Sequence, residues 1–430
     1  MTLIHNPPGS TIGEPGSIVP TESPPPPSAR LSDVRVGFVS GRAHYAAADG
    51  IWAEGGVGRL VDTLRSKVGS LTVALAAAPE KLPLLDHRML VGKSELLPLP
   101  EFPSIGRGFG KALACRCVIR EVERRSDVLI VQLPFEAPLA LFGARTPRVY
   151  HVCADIWAFA NRSSRFAGWK RLPALGMGGL IDRIQARLFH RSDVRVVTNG
   201  EDLRAHYGRP PGRAVVSSTI RDDEIMSVPR KRPLDAPFRV LFVGYIRHEK
   251  GTDLLVKAFD RVLDVLPDAE LDVIGALDHG SSCMAGGFED SLIALQGKGT
   301  VRFLGHRNFG PDLFQCFADA DVLVLPSRTE GTPRVLIEAR AFGCPVIGTA
   351  VGGIPTSITD GVDGLLIPPE ESTALAQAIL RVAQDADLRR RLIAGGIERA
   401  RRSTVETYAE ALADEAATAV FDKSLVRVAS

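Results

Sequence analysis

The stretch Ser327-Arg328-Thr329-Glu330-Gly331-Thr332-Pro333-Arg334-Val335-Leu336-Ile337-Glu338-Ala339 sets two glutamates at Glu-x7-Glu spacing across an expected strand-to-helix turn. The run before it, Asp321-Val322-Leu323-Val324-Leu325-Pro326, is continuously apolar at its centre, the pattern of a strand buried on both faces of a parallel sheet. Thr332 suits an N-cap and Pro333 the first helical position, where a missing N–H costs nothing, so a helix is expected from about Thr332. Gly343 suits its end. A helix start offers unpaired N–H groups and a partial positive charge, which at Gly331, Thr332 and Pro333 makes a place for a phosphate. Glu330 would then point away and accept from hydroxyls, and Glu338, beside the apolar stripe Val335, Ala339 and Phe342, needs donors. The spacing alone fits a solvated Glu330, and a Glu338 paired with Arg334 or Arg340, equally well.

The sequence continues Ala341-Phe342-Gly343-Cys344-Pro345-Val346-Ile347-Gly348-Thr349, then Gly352-Gly353-Ile354-Pro355, then Gly361-Val362-Asp363-Gly364-Leu365-Leu366-Ile367-Pro368. With the glutamate pair, this long match resembles the family-4 retaining glycosyltransferases of the glycosyltransferase group 1 family. The resemblance implies an α/β fold of GT-B type, in which two Rossmann-like domains face each other across a cleft.

Composition narrows the class. A chain of 430 residues suffices for two domains with separate cores, and a formal charge of +2 gives no bulk attraction to nucleic acid. Residues 1–30 are rich in proline, including Pro24 to Pro27, and read as a disordered or polyproline-like tail with neither the apolar core nor the basic start of a secretory signal. The most apolar stretch, Val128 to Ala144, is broken by Gln132, Pro134, Glu136 and Pro138, which argues against a membrane span. The expected location is cytoplasmic. Six cysteines without a C-x-x-C pair read as reduced thiols, mostly buried, and nine histidines show no metal-ligand spacing, so no metal and no cofactor are expected.

Alternating strands and helices divide the rest. Val34 to Val39 reads as a strand and Val57, Leu60, Val61, Leu64 and Val68 as a helix, with Glu54-Gly55-Gly56-Val57-Gly58 between them. Gly56 would let backbone approach a phosphate, although a simple helix-start turn fits that sequence as well. Further strands are expected at Leu71 to Leu75, Val128 to Gln132, Val149 to Val152 and Val194 to Val197, making a parallel sheet. After the charged linker Arg230-Lys231-Arg232-Pro233 a second series begins: strand Phe238 to Val243, helix Thr252 to Val265, strand Glu270 to Ile274. The expected division is 31–232 for an acceptor domain, 233–404 for a donor domain, and 405–430 for a last helix returning to the first domain, as in relatives.

Chemistry should lie beyond the carboxyl ends of the strands. The loop Gly244-Tyr245-Ile246-Arg247-His248-Glu249-Lys250-Gly251 carries cations ahead of a helix, which reads as a phosphate site or as a solvated turn. The resemblance implies that Lys250 contacts the donor diphosphate and that Arg247 replaces the arginine that relatives carry where this chain has Tyr245. It also implies that Glu330 holds sugar hydroxyls, Glu338 the ribose and backbone near Leu304 the base, with Asp155 in the first-domain loop contacting the sugar or the acceptor. In that loop Ala154 stands where relatives have glycine. His151 reads either as a site residue or as a core histidine. Acidic residues Asp222-Asp223-Glu224 read as an ordinary loop or helix start.

The function implied is transfer of a hexose from a UDP- or GDP-sugar to a hydroxyl of a glycan, lipid-linked sugar or small acceptor, with retention, without metal, in polysaccharide or glycoconjugate assembly. A non-catalytic nucleotide-sugar-binding scaffold and an epimerase of the same fold are the alternatives. Arg120, Arg124, Arg125 and the arginines and lysine from Arg162 to Arg191 make the first domain basic, which suits either plain solvation or peripheral contact with an anionic membrane carrying a lipid-linked acceptor.

Overall fold

The structure, a computed structural model, describes residues 31–429 except 83, 103–108, 144–145, 158–170, 192, 234 and 277–299. The proline-rich tail, residues 158–170 at the start of the basic stretch after Trp157, and Cys283 lie outside the described residues. Two sheets organise the rest.

The first contains β1 (Arg35–Ala47), β2 (Gly50–Ala53), β3 (Ser70–Ala77), β4 (His87–Met89), β5 (Leu96–Leu99), β6 (Val128–Leu133), β7 (Arg148–Val152), β8 (Val194–Asn199) and β9 (Gly212–Val215). Seven of these run parallel in the order β5-β3-β1-β6-β7-β8-β9. The sheet is not wholly parallel, as expected from the sequence: β1 runs on past Val39 and its end, His44 to Ala47, turns back antiparallel onto β2, which pairs with β4. The Gly55-Gly56 pair therefore follows a hairpin rather than the first strand, and Gly55 opens the helix Gly55–Arg65.

The second sheet contains β10 (Arg239–Val243), β11 (Glu270–Ile274), β12 (Thr300–Gly305), β13 (Val322–Leu325), β14 (Val346–Thr349) and β15 (Leu365–Ile367). All are parallel, in the order β12-β11-β10-β13-β14-β15. This is the doubly wound order, and it reverses direction between β10 and β13. Loops leaving the carboxyl ends of those two strands diverge to opposite faces, which opens a crevice where ligands bind. They are the two loops singled out by sequence, Gly244 to Gly251 and Pro326 to Thr332.

Apolar residues cover both faces of each sheet. Phe242, Phe259, Val262 and Ile379 fill one side of the second sheet, and Phe317, Leu323, Leu336 and Phe342 the other. The last helix, Val405–Ala429, returns to the first domain: Tyr408, Leu412, Ala416 and Ala419 are buried against Val36, Leu60 and Val149. Arg195 of β8 is ion-paired with Glu415 on that helix, and Arg213 of β9 donates to the same carboxylate at 2.8 Å. No described helix is long and apolar enough to cross a membrane.

Candidate active site

The helix after the glutamate-bearing loop spans Arg334–Ala341, so it starts later than the sequence suggested. Pro333 is buried and occupies the cap position, and Thr332 is not a cap: its hydroxyl donates to the carbonyl of Asn199, at the end of β8, at 3.1 Å. A hydroxyl that finds a carbonyl on the other domain no longer serves its own helix. The far end behaves as read. Gly343 has φ +71, its N–H reaches Arg340 O and that of Cys344 reaches Ala339 O, both at 3.1 Å, which closes the helix with a left-handed glycine.

Glu330 is held from two sides. Lys250 Nζ lies 2.5 Å from its Oε2, and Ser327 Oγ donates to the same oxygen at 3.1 Å. The loops that carry this pair are pressed together. A Cβ on Gly251, where φ is +65, would lie 1.9 Å from Pro326 O, and one on Gly352, where φ is +51, would lie 1.9 Å from Glu330 O. Only glycine allows either approach. Arg328 clamps the same loops, donating to both carboxylate oxygens of Asp253 at 2.6 and 2.8 Å, to Glu370 and to the carbonyl of His248.

A cavity of about 650 Å³ lies between the domains. The second domain lines it with Tyr245, Gly331, Thr332, Arg334, Glu338 and the run His306 to Phe309. The first domain contributes Arg42, Glu54, Gly56, Asp86, Gln132 and Cys153, and the connecting segment contributes Ser217 to Thr219. Glu338 accepts from Thr219 Oγ1 at 2.8 Å, and burial raises its pKa above the ordinary glutamate value, partly offset by Arg334 and Thr219. It therefore pairs with neither Arg334 nor Arg340. Arg340 is itself buried and bound to Asp363 at 2.6 Å.

The other expected site residues are placed differently. Lys250 and Glu330 adjoin the cavity wall without lining it, being neighbours in sequence of lining Gly331 and of the Tyr245 loop. Arg247 is not at the wall either, and its guanidinium stacks 4.5 Å from the centre of the Tyr245 ring. Leu304 faces a separate surface hollow with Arg302 and Asp312. In the first domain Cys153 and Ala154 line the cavity but Asp155 does not, and its charge acts instead on the phenol of Tyr207. His151 is a fully buried core residue, 2.8 Å from Tyr408 Oη through Nε2, and burial pushes its pKa down to about 3.

Residues 227–399 match the family described as Glycosyl transferases group 1. That span is similar to the group 1 glycosyl transferases. It covers β10 to β15, the Glu330 loop and Glu338, so the second-domain wall of the cavity belongs to the group 1 match. The D-inositol 3-phosphate glycosyltransferase of Corynebacterium aurimucosum is 30% identical over 217 residues, 47% of this chain and 51% of that protein. The chain spans about half the length of the curated relatives it matches. Two solved structures share the whole two-domain architecture. Sucrose-phosphate synthase from Thermosynechococcus elongatus has a TM-score of 0.67 at 18% identity, covering 92% of this chain and 100% of that one. Anabaena HepE, in complex with UDP and glucose, has a TM-score of 0.63 at 20% identity, covering 89% and 99%. The fold is thus α/β and GT-B, with the group 1 match in its second half.

Sequence reading reached Gly56 on the first-domain wall but missed most of its other residues. Arg42, Asp86 and Gln132 are lone polar residues in or beyond first-sheet strands, with no shared motif to connect them. Thr219 carried a signal, since Ser217-Ser218-Thr219 puts three hydroxyls just after β9 in the segment that joins the domains. Five described cysteines are free, but only Cys115 and Cys344 are buried, fewer than expected. Among the described residues no group of three His, Cys, Asp or Glu is placed to hold a metal ion.

Proposed function

We propose that the chain is a retaining glycosyltransferase that moves a hexose from a UDP- or GDP-sugar to a hydroxyl of a glycan, lipid-linked sugar or small acceptor. The observation that carries this reading is the cavity between the carboxyl edges of the two sheets, walled on one side by Gly331, Thr332 and Glu338 of the group 1 match. The HepE relative, solved with UDP and glucose, supports the donor class. In this reading backbone N–H groups at Gly331 and Thr332 meet the diphosphate, with Lys250 close behind, while Glu330 accepts from sugar hydroxyls and Glu338 from the ribose.

The bond from the anomeric carbon to the diphosphate oxygen breaks and the bond to the acceptor oxygen forms on the same face. The acceptor's proton passes to the departing diphosphate. Positive charges and amide dipoles fixed around that leaving group lower the barrier, and the reaction is proposed to proceed without a metal. Glu330 and Glu338 are not a hydrolytic pair in this scheme, because hydrolytic carboxylates must flank one bond. The proposed setting is the cytoplasm, with the basic first domain at an anionic membrane if the acceptor is lipid-linked.

The test is purified protein with UDP-, GDP- and ADP-sugars in the presence of EDTA, followed by thermal shift and slow donor hydrolysis. One donor should stabilise the protein and be hydrolysed, and Glu330→Ala should abolish hydrolysis. Binding without turnover, with candidate acceptors supplied, would instead leave a nucleotide-sugar-binding scaffold.

A further inference from the structure

The cavity holds more positive charge than those roles use. Arg42, His306, Arg307 and Arg334 all line it, whereas Tyr245 presents an aromatic ring and Arg247 is stacked on that ring. Lys250 is already neutralised by Glu330. Arg42 has a carboxylate neighbour, Glu54, at 3.7 Å.

Arg334 differs from these in its placement. It is the first residue of the helix Arg334–Ala341, and among the described residues it has no hydrogen-bond or ion-pair partner, which it shares with His306 and Arg307. Its Nη1 lies 2.5 Å from the place a Cβ would occupy on Gly56, so the guanidinium crosses the cleft and rests against the first turn of the opposite domain's helix Gly55–Arg65. Its charge acts on Glu338, on Cys153 and on Tyr408, which line the same cavity. Gly331 and Thr332 line the same space.

The Arg334 side chain is exposed within the cleft, so it can take a ligand without first breaking a protein contact, and its planar fork of donors matches a phosphate with two parallel hydrogen bonds. Two helix starts, at Gly55 and at Arg334, flank the same volume, although at the first of them Gly55 N–H is already given to Asp86 Oδ1 at 2.9 Å. An anion with several oxygens is the partner that such a set of donors fits. We propose that Arg334 grips the donor's diphosphate against Gly56 of the opposite domain, serving as the principal side-chain cation for the leaving group. This rests on the donor reading above. It assigns to Arg334 the part that the family resemblance implied for Arg247, and it explains how one anion would draw both domains together.

The experiment is titration calorimetry on the full chain with UDP, GDP and ADP and the corresponding monophosphates, using wild type, Arg334→Gln, Arg334→Lys and Arg247→Gln. Wild type should bind one diphosphate more tightly than its monophosphate. Arg334→Gln should bind that diphosphate about 10- to 100-fold more weakly, the value of a charge-assisted hydrogen bond, with monophosphate affinity changed less than about twofold. Arg334→Lys should recover part of the loss, and Arg247→Gln should bind as wild type does. The inference is overturned if Arg334→Gln retains diphosphate affinity, if mono- and diphosphate weaken equally, or if the loss falls on Arg247→Gln. Wild type binding none of the nucleotides would overturn the donor reading itself, and the inference with it.

Discussion

Lys250 Nζ and Glu330 Oε2 meet at 2.5 Å where the loops after β10 and β13 converge, so the cation and the carboxylate of the expected donor site neutralise each other. Their side chains are only 25% and 14% exposed, which makes the contact more than a surface ion pair. In the proposed reading an incoming diphosphate would compete for Lys250 and free Glu330 for hydroxyls. Replacing Glu330 with Gln keeps the shape but removes the charge. Turnover is expected to fall by roughly 100-fold or more, as for loss of one charge-stabilising group in an enclosed site. Circular dichroism melting should show the fold retained, and steady-state donor hydrolysis gives the rate.

Arg328 bears on the same pair without touching the cavity. It joins the loop before Glu330 to Asp253 on the next helix and to the carbonyl of His248, two residues ahead of Lys250. Arg328→Ala removes a partly buried bidentate pair, with an expected cost of about 1–3 kcal/mol. Loosened loops should lower kcat more than they raise KM. Urea unfolding and initial-rate kinetics together check both effects.

The same Asp253 sets an acid limit. Burial alone would raise its pKa, but the hydrogen bonds and charge of Arg328 outweigh that and hold it below the ordinary value of 3.8. A carboxylate depressed in the folded state stabilises it above the unfolded pKa and loses that contribution as pH falls through the folded one. The Arg328→Ala chain should therefore lose less stability than wild type between about pH 4 and pH 2, measured by urea midpoints across that range.

Much of this site was legible because strand, turn and helix chemistry coincide in one continuous stretch. The apolar run at Val322–Leu325 can only be an interior strand, and Gly343 can only end the helix that follows. The helix start was misread because Thr332 has two uses for its hydroxyl, and the contact with Asn199 lies 133 positions away in sequence. The β1–β2 hairpin and its partner β4 were missed because β2 and β4 are short and β1 continues beyond its apolar core into polar residues. Arg334 was visible only as a possible partner for Glu338. That the guanidinium instead reaches across to Gly56 is a fact of how the two domains sit, which no local pattern encodes.

Glu338 provides a pH signature for the ribose role. Burial raises its pKa above 4.5, against the pull of Arg334, the Thr219 hydroxyl and Arg59. If the ionised carboxylate accepts hydroxyls, donor affinity should begin to fall at a pH above 4.5 as the solution is acidified. Thr219→Val removes one stabiliser of the charged form and should move that loss to higher pH, while Glu338→Gln should flatten the profile. For stability the sign is opposite, since the folded chain holds this proton more tightly, and the contribution of Glu338 declines as pH rises from 4.5 through its folded pKa. Donor affinity measured from pH 4.5 to 8 distinguishes these outcomes.

His151 makes the complementary case inside the first domain. Its ring is fully buried in β7 against Tyr408 of the last helix, and burial lowers its pKa from 6.5 to about 3. The folded chain thus leaves it neutral at pH values where the unfolded chain protonates it. Between 6.5 and about 3 the unfolded state binds the extra proton, so stability falls with falling pH, by at most about 1.4 kcal/mol per unit from this group. His44, also pushed down by burial, adds in the same direction. Thermal or urea unfolding from pH 7 to pH 5 should show that slope in wild type. His151→Gln, which cannot titrate, should start less stable at pH 7 but lose stability less steeply, and an unchanged slope would mean that the last helix separates from β7 before His151 is protonated.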